Sequence, residues 1–255
     1  MNNIGEYFFN DNTGKVTTAA NDEFTSEMET DYANLISLYI PYYNQLPEEL
    51  KKRFLRRAYH FRSIKNFHYV GMAELAEIPI LVSAAAVQLT LGLEKYELPF
   101  FKNIYITPDA YKTAEETETF IGHVSPDGIY ISWKYFLQGY ADSTDNVNVA
   151  IHELAHALAH EYFMEETGVD ADFRTDFTKF SEVCGPVLAK ISTQKRSYLR
   201  NYAFTNFQEF WAVSVEAFFE SPAALRENLP QLYASLCNVL NQDLLTENKI
   251  LPVST

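Results

Sequence analysis

The sequence predicts an α+β fold in which helices dominate and a small sheet interrupts them. Three observations carry this reading. The 255 residues are 47% apolar, enough to bury a core. Extended segments flanking a turn gather around 103–133, and from Asp145 onward the pattern is helical.

Taken in order, residues 1–31 carry seven acids against the single base Lys15, and residues 1–43 read as an acidic extension, partly ordered at most. Folded sequence is expected from near Leu46. There Pro47, Glu48 and Glu49 open a helix to about Phe61, with proline at its first turn and acids at the positive end of its dipole. Its Lys51, Lys52, Arg53, Arg56 and Arg57 read as a solvated basic face. A second helix is expected over about 73–91. The uncharged stretch Ile78–Leu93 spans only 16 residues and holds Pro79, Ser83, Gln88 and Thr90, which suits a buried helix and not a bilayer span. Asn103–Thr107 and 119–133, the latter turning at Pro126-Asp127-Gly128, form the small sheet. Helices follow at about 145–163, 172–195, 206–220 and 222–240, with Pro222 as a start signal. Residues 44–245 thus make one unit, helices plus sheet over 44–140 and a helical, metal-binding half over 141–245. There is no internal repeat.

Charge narrows the partners. With 20 basic against 34 acidic residues, a net −14, the chain repels phosphate backbones and anionic bilayers, so neither nucleic acid nor membrane is an expected partner. Cys184 and Cys237 have no spacing for a disulfide framework or a metal knuckle and are expected to be buried thiols. Residues 1–16 lack the basic start and apolar stretch of a secretory signal, so a cytoplasmic location is expected.

The chemistry concentrates on one helix. Val147, Ile151, Leu154, Leu158 and Tyr162 form an apolar stripe, and His152 and His156 fall roughly opposite it, stacked one turn apart. Two imidazoles so placed can share one zinc ion without further ordering cost. Glu153, between them in His152-Glu153-Leu154-Ala155-His156, stands beside the site, where it can take a proton from a water that the metal activates. This is the logic of the HExxH motif. A catalytic zinc usually takes three protein ligands and leaves a position open. His160 lies eight residues beyond His152, about 12 Å along the helix axis, too far to join the same ion. The helix 206–220 is too apolar for a surface helix yet places Glu209 and Glu216 seven residues apart on one face. Glu209 could instead complete a capping box with Asn206, and position alone does not choose between the two acids.

These residues resemble the Mlc titration factor A family of bacterial zinc peptidases, whose catalytic domain is similar to that of anthrax lethal factor. The likeness rests on 148–156, 202–219, 222–225 and 128–133, with weaker similarity through 89–96 and 104–108, covering about 45–240. It implies a zincin-like fold with His152, His156 and Glu209 as ligands of one zinc ion, Glu153 as general base and Glu216 behind the ligands. Tyr202 would hydrogen-bond the oxyanion. The implied activity is hydrolysis of peptide substrates, aminopeptidase-like on short peptides. The alternative it implies is a regulatory protein that binds and sequesters a transcriptional repressor with little or no turnover. Two departures stand out. Ala159 replaces an aspartate usual three residues after the second histidine, and a further upstream family histidine has no clear counterpart, His123 being offset. His60, His68 and His123 are expected to be structural or surface residues.

Overall fold

The protein is described from a computed structural model over residues 24–112, 119–142, 145–163, 171–192, 198–247 and 249–251. Folded structure begins well before Leu46. Helix α1 (Ser26–Tyr39) starts at Thr25, whose hydroxyl accepts the Met28 N–H at 3.2 Å, and Tyr32, Ile36 and Ile40 are buried at four-residue spacing. The acids that suggested a loose extension include Glu27 and Glu29 in the first turn of this helix, where the dipole favours them. Residues 1–23 lie outside the described residues. The short α2 (Pro41–Asn44) buries Tyr42 and Tyr43.

Helix α3 (Glu48–Ser63) buries Phe54, Leu55, Ala58 and Phe61. Its basic face is not merely solvated. Arg57 Nη1 donates to the carbonyls of Thr90, Leu91 and Leu93 at 3.2, 3.2 and 2.7 Å, closing the end of α4 (Glu77–Thr90). Every residue from Ile78 to Thr90 is buried, as expected of a central helix. No helix among the described residues is long and apolar enough to cross a membrane.

The sheet contains β1 (Asn66–Tyr69), β2 (Asn103–Thr107), β3 (Gly122–Ser125) and β4 (Gly128–Ser132) in the order β1-β2-β4-β3. β3 and β4 form the expected hairpin, antiparallel; β1 and β2, and β2 and β4, are parallel. Ile104, Ile106, Ile129 and Ile131 alternate onto the buried face. On the other face His68, Tyr105, Tyr130 and His123 stack in register, with ring centroids 4.7, 4.4 and 4.1 Å apart. That row accounts structurally for His68 and His123, while His60 is exposed on α3.

Helix α5 (Trp133–Ala141) runs directly from β4. Helix α6 (Val149–Phe163) lies between the sheet and α8 (Phe207–Glu220), and α7 (Ala171–Ser192) precedes a 3₁₀ turn, Asn201–Phe204. The stretch expected as one helix over 222–240 is two, α9 (Pro222–Asn228) and α10 (Pro230–Leu240). Pro230 disfavours helical geometry at the residue before it, and Leu229 sits at φ −136°, ψ 63°. Cys184 and Cys237 are free and buried.

Candidate metal centre

Helix α6 is held in place at its start by carboxylates from α8. Asn148 caps it, its Oδ1 accepting the Ile151 N–H at 3.1 Å. The Asn148 N–H donates to Glu216 Oε1 at 2.8 Å and the Val147 N–H to Glu220 Oε2 at 3.0 Å. Farther along, the Trp211 indole N–H donates to the Ala155 carbonyl at 2.8 Å. Three α8 side chains therefore set the rotation and height of the helix that carries both histidines. Burial of Trp211, fully inaccessible, makes that register costly to leave.

This register brings His152, His156 and Glu209 together. His152 Nε2 and His156 Nε2 are 3.0 Å apart; Glu209 Oε2 is 3.2 Å from the first, and its Oε1 is 3.5 Å from the second. One donor atom from each lies within 4.8 Å of the others, a set that could hold a metal ion. The two acids left open by position now separate. Asn206 Oδ1 accepts the Glu209 N–H at 2.9 Å, half of the capping box, but the Glu209 side chain turns to the imidazoles. Glu216 faces the opposite nitrogen, His152 Nδ1, at 3.1 Å.

Two features of this chain fit a cation there. Glu209 Oε2 is buried and, although 3.2 Å from His152 Nε2, receives no well-aligned hydrogen bond, and the ligand atoms present are imidazole nitrogens and a carboxylate oxygen, the set that divalent zinc accepts. The electrostatics agree. Burial opposes charge on His152, yet Glu209 and Glu216 outweigh it and carry the imidazole up to about 10. Burial also opposes ionisation of Glu209, but the two imidazoles hold its carboxyl far below the usual range. Such a surplus of carboxylates around two imidazoles favours positive charge between them.

Glu153 is 6% exposed, and burial, with Glu209 and Glu216 adding to it against His152, pushes its carboxyl up to about 8. It has room only because β3 contributes a glycine. A Cβ on Gly122 would meet Glu153 Cγ at 2.6 Å and Oε1 at 2.7 Å. Gly122→Ala should therefore fold, at a cost of about 1–3 kcal/mol, and displace the Glu153 carboxylate. If Glu153 takes the proton of a metal-activated water, as the sequence leads one to expect, hydrolysis should fall by roughly 10²-fold with metal content unchanged, since a misplacement of about 1 Å has that effect. Unaltered kcat/KM in that variant would show that Glu153 needs no such fixed seat.

Tyr202, on the 3₁₀ turn, is 52% exposed with its ring centroid 6.1 Å from that of His152. Burial and the charges of Glu209 and Glu153 raise its phenol above the ordinary value. His160 packs against Phe100 and Phe101, with centroids 4.6 and 5.2 Å away, and stands outside the group, as the helix rise requires. Ala159 is buried in the core. Sequence reasoning missed Gly122, Arg200 and Glu220, each brought to the site by tertiary packing.

Residues 17–240 match the family of glucose-regulated metallo-peptidases M90. The chain belongs to this family. Members of the M90 family are metallopeptidases, so the class implies a metal cofactor for the donor set just described. The match begins at residue 17, upstream of residue 45, and so takes in α1. The chain is also 25% identical over 224 residues to an uncharacterized protein of Synechocystis sp., spanning 77% of this chain and 78% of that protein.

At the start of the M90 helix α6, Glu220 Oε1 is buried without a hydrogen-bond partner in a cleft lined by Tyr42, Gln88, Tyr140 and Asn148. Burial first, then the charges of Asp145 and Glu216, raises its carboxyl to about 8, against the Val147 N–H and Asn148. A carboxyl raised on folding contributes stability that is full below about 4.5, its unfolded value, and lost as pH rises through about 8. The metal-free protein should lose about 2–4 °C of Tm between pH 5 and 8 on this account, discounted for partial exposure. Glu220→Gln makes that slope shallower, leaving the share that Glu153 and His152 contribute with the same sign, and parallel melting curves for the two proteins would refute the assignment.

Proposed function

We propose that the protein is a zinc-dependent peptidase that cleaves peptide bonds with a metal-activated water. The observation that supports it is the convergence of His152 Nε2, His156 Nε2 and Glu209 beside a buried acid, Glu153, that is not among the three. A closed structural site would have no use for that acid. His152, His156 and Glu209 hold the zinc, which when bound supplies Lewis acidity toward water and the substrate carbonyl.

Glu153 accepts the proton of the attacking water and delivers it to the leaving amine, a shuttle suited to a carboxyl whose ordinary value has been raised toward neutrality. Tyr202 reaches in from the 3₁₀ turn to donate its phenol hydrogen to the oxyanion that forms on the substrate carbonyl. Its exposure leaves it free to meet substrate. Glu216 fixes the His152 ring by accepting from Nδ1, so that Nε2 faces the ion. Short peptides are the proposed substrates, taken in an aminopeptidase-like manner, and the cytoplasm is the proposed compartment, consistent with two unpaired thiols.

The test is metal content and hydrolysis measured together. The purified protein should carry about one zinc per chain and cleave a library of short peptides. It should prefer free over acetylated N-termini and lose activity on chelation. Full activity after exhaustive chelation would overturn the reading. Bound zinc with no hydrolysis would instead favour the regulatory role, in which the chain sequesters a transcriptional repressor.

A further inference from the structure

Arg200 belongs to no motif that the sequence displays. It is the residue before the 3₁₀ turn and two before Tyr202, and its guanidinium Nη2 donates to Glu216 Oε2. Glu216 itself is 1% exposed on α8. One buried carboxylate thus gathers three donors. The Asn148 N–H at the start of α6 reaches Oε1 at 2.8 Å; His152 Nδ1, at 3.1 Å, and Arg200 reach Oε2.

A carboxylate buried this deeply needs a cation in contact, and the guanidinium is the permanent one. Arg200 also has a geometric effect, because its Nη2 holds the Glu216 carboxylate in place and that carboxylate, through Oε2, fixes the plane of the imidazole.

Resting on the zinc reading above, we propose that Arg200 is a positioning residue of the metal centre, holding Glu216 against His152 Nδ1 so that the imidazole is aimed for zinc. Its route to the metal group is the contact with Glu216.

Zinc affinity is the readout, measured by competition with a chromogenic chelator on the full chain, with melting of the metal-free proteins alongside. R200M and E216Q should each weaken zinc binding by about 10–100-fold. R200K, which keeps a cationic donor that can make the single contact to Glu216 Oε2, should recover affinity to within about 3-fold of wild type. On the E216Q background, R200M should add less than about 3-fold, because its route to the metal is already cut. If R200M does not fold, R200Q is read in its place. Wild-type zinc affinity in R200M overturns the proposal, as does an R200K no better than R200M, or a full additional loss in the double variant. A wild-type chain that binds no zinc would sink the peptidase reading itself, whereas wild-type binding unaffected at Arg200 sinks only this inference.

Discussion

Glu153→Gln is expected to bind zinc at wild-type stoichiometry and to lose peptide hydrolysis by roughly 10²- to 10⁴-fold, the range that a positioned acid–base group supplies. The substitution keeps shape and volume in a site where both are constrained, since Gly122 already leaves no room beside the side chain. It removes the ability to hold a proton that arrives from water and leaves to an amine. His152, His156 and Glu209 remain as the donor group, so metal content isolates the chemical step from assembly of the site. Glu153 is buried and its carboxyl is raised to about 8 mainly by that burial, so a neutral amide is tolerated there and the variant should be no less stable. Metal analysis and kcat/KM on the same preparation decide the matter. Hydrolysis retained within about tenfold would remove Glu153 from the mechanism.

What the sequence disclosed about the fold follows from the range over which each signal acts. The helix α6, the unbroken apolar run of α4 and the β3–β4 turn are local patterns, and each is found where the pattern placed it, although burial on α6 spreads beyond the stripe to Glu153, Ala155, Ala157 and Ala159. Helix α1 was hidden because its acids outweighed, in composition, the three aromatic and aliphatic residues that bury it. β1 is four residues long and earns its place only by pairing with β2, Asn66 opposite Asn103, so no local pattern announces it. α5 went unassigned in the sequence, the extended segment having been ended at Trp133; its helix becomes favourable by packing Phe136 into the core. The break between α9 and α10 did have a local signal, Pro230, which the periodicity on either side obscured.

The candidate site divides in the same way. His152 and His156 are one turn apart on a single helix, so their meeting needs no tertiary information. The acid from α8 does need it: Glu209 and Glu216 share a face, and only the rotation of α8 set by Trp211 and Asn206 turns one toward Nε2 and the other toward Nδ1. Gly122 and Arg200 were illegible for a stricter reason. Each matters through one contact with a residue at least 16 positions away, and a lone glycine or arginine carries no periodicity.

Glu209→Ala and Glu216→Ala should therefore fail in different ways. Removing Glu209 takes one donor from the metal group and leaves His152 and His156 in position, since both are held by α6 and His152 is still anchored from behind by Glu216. Zinc affinity should fall by more than the 10- to 100-fold typical of an outer partner, while the metal-free protein melts within a few degrees of wild type. Removing Glu216 strips the counter-charge from partly buried Arg200 and the acceptor from the Asn148 N–H and His152 Nδ1 at once. Leaving such groups unpaired costs about 3 kcal/mol or more, so the metal-free protein should be markedly destabilised and its zinc binding weakened more moderately. Chelator competition and denaturant unfolding on both variants read the two axes separately. The opposite pattern, with metal lost in Glu216→Ala and kept in Glu209→Ala, would exchange the roles of the two acids, because a carboxylate that holds the ion and one that holds the fold cannot respond alike to truncation.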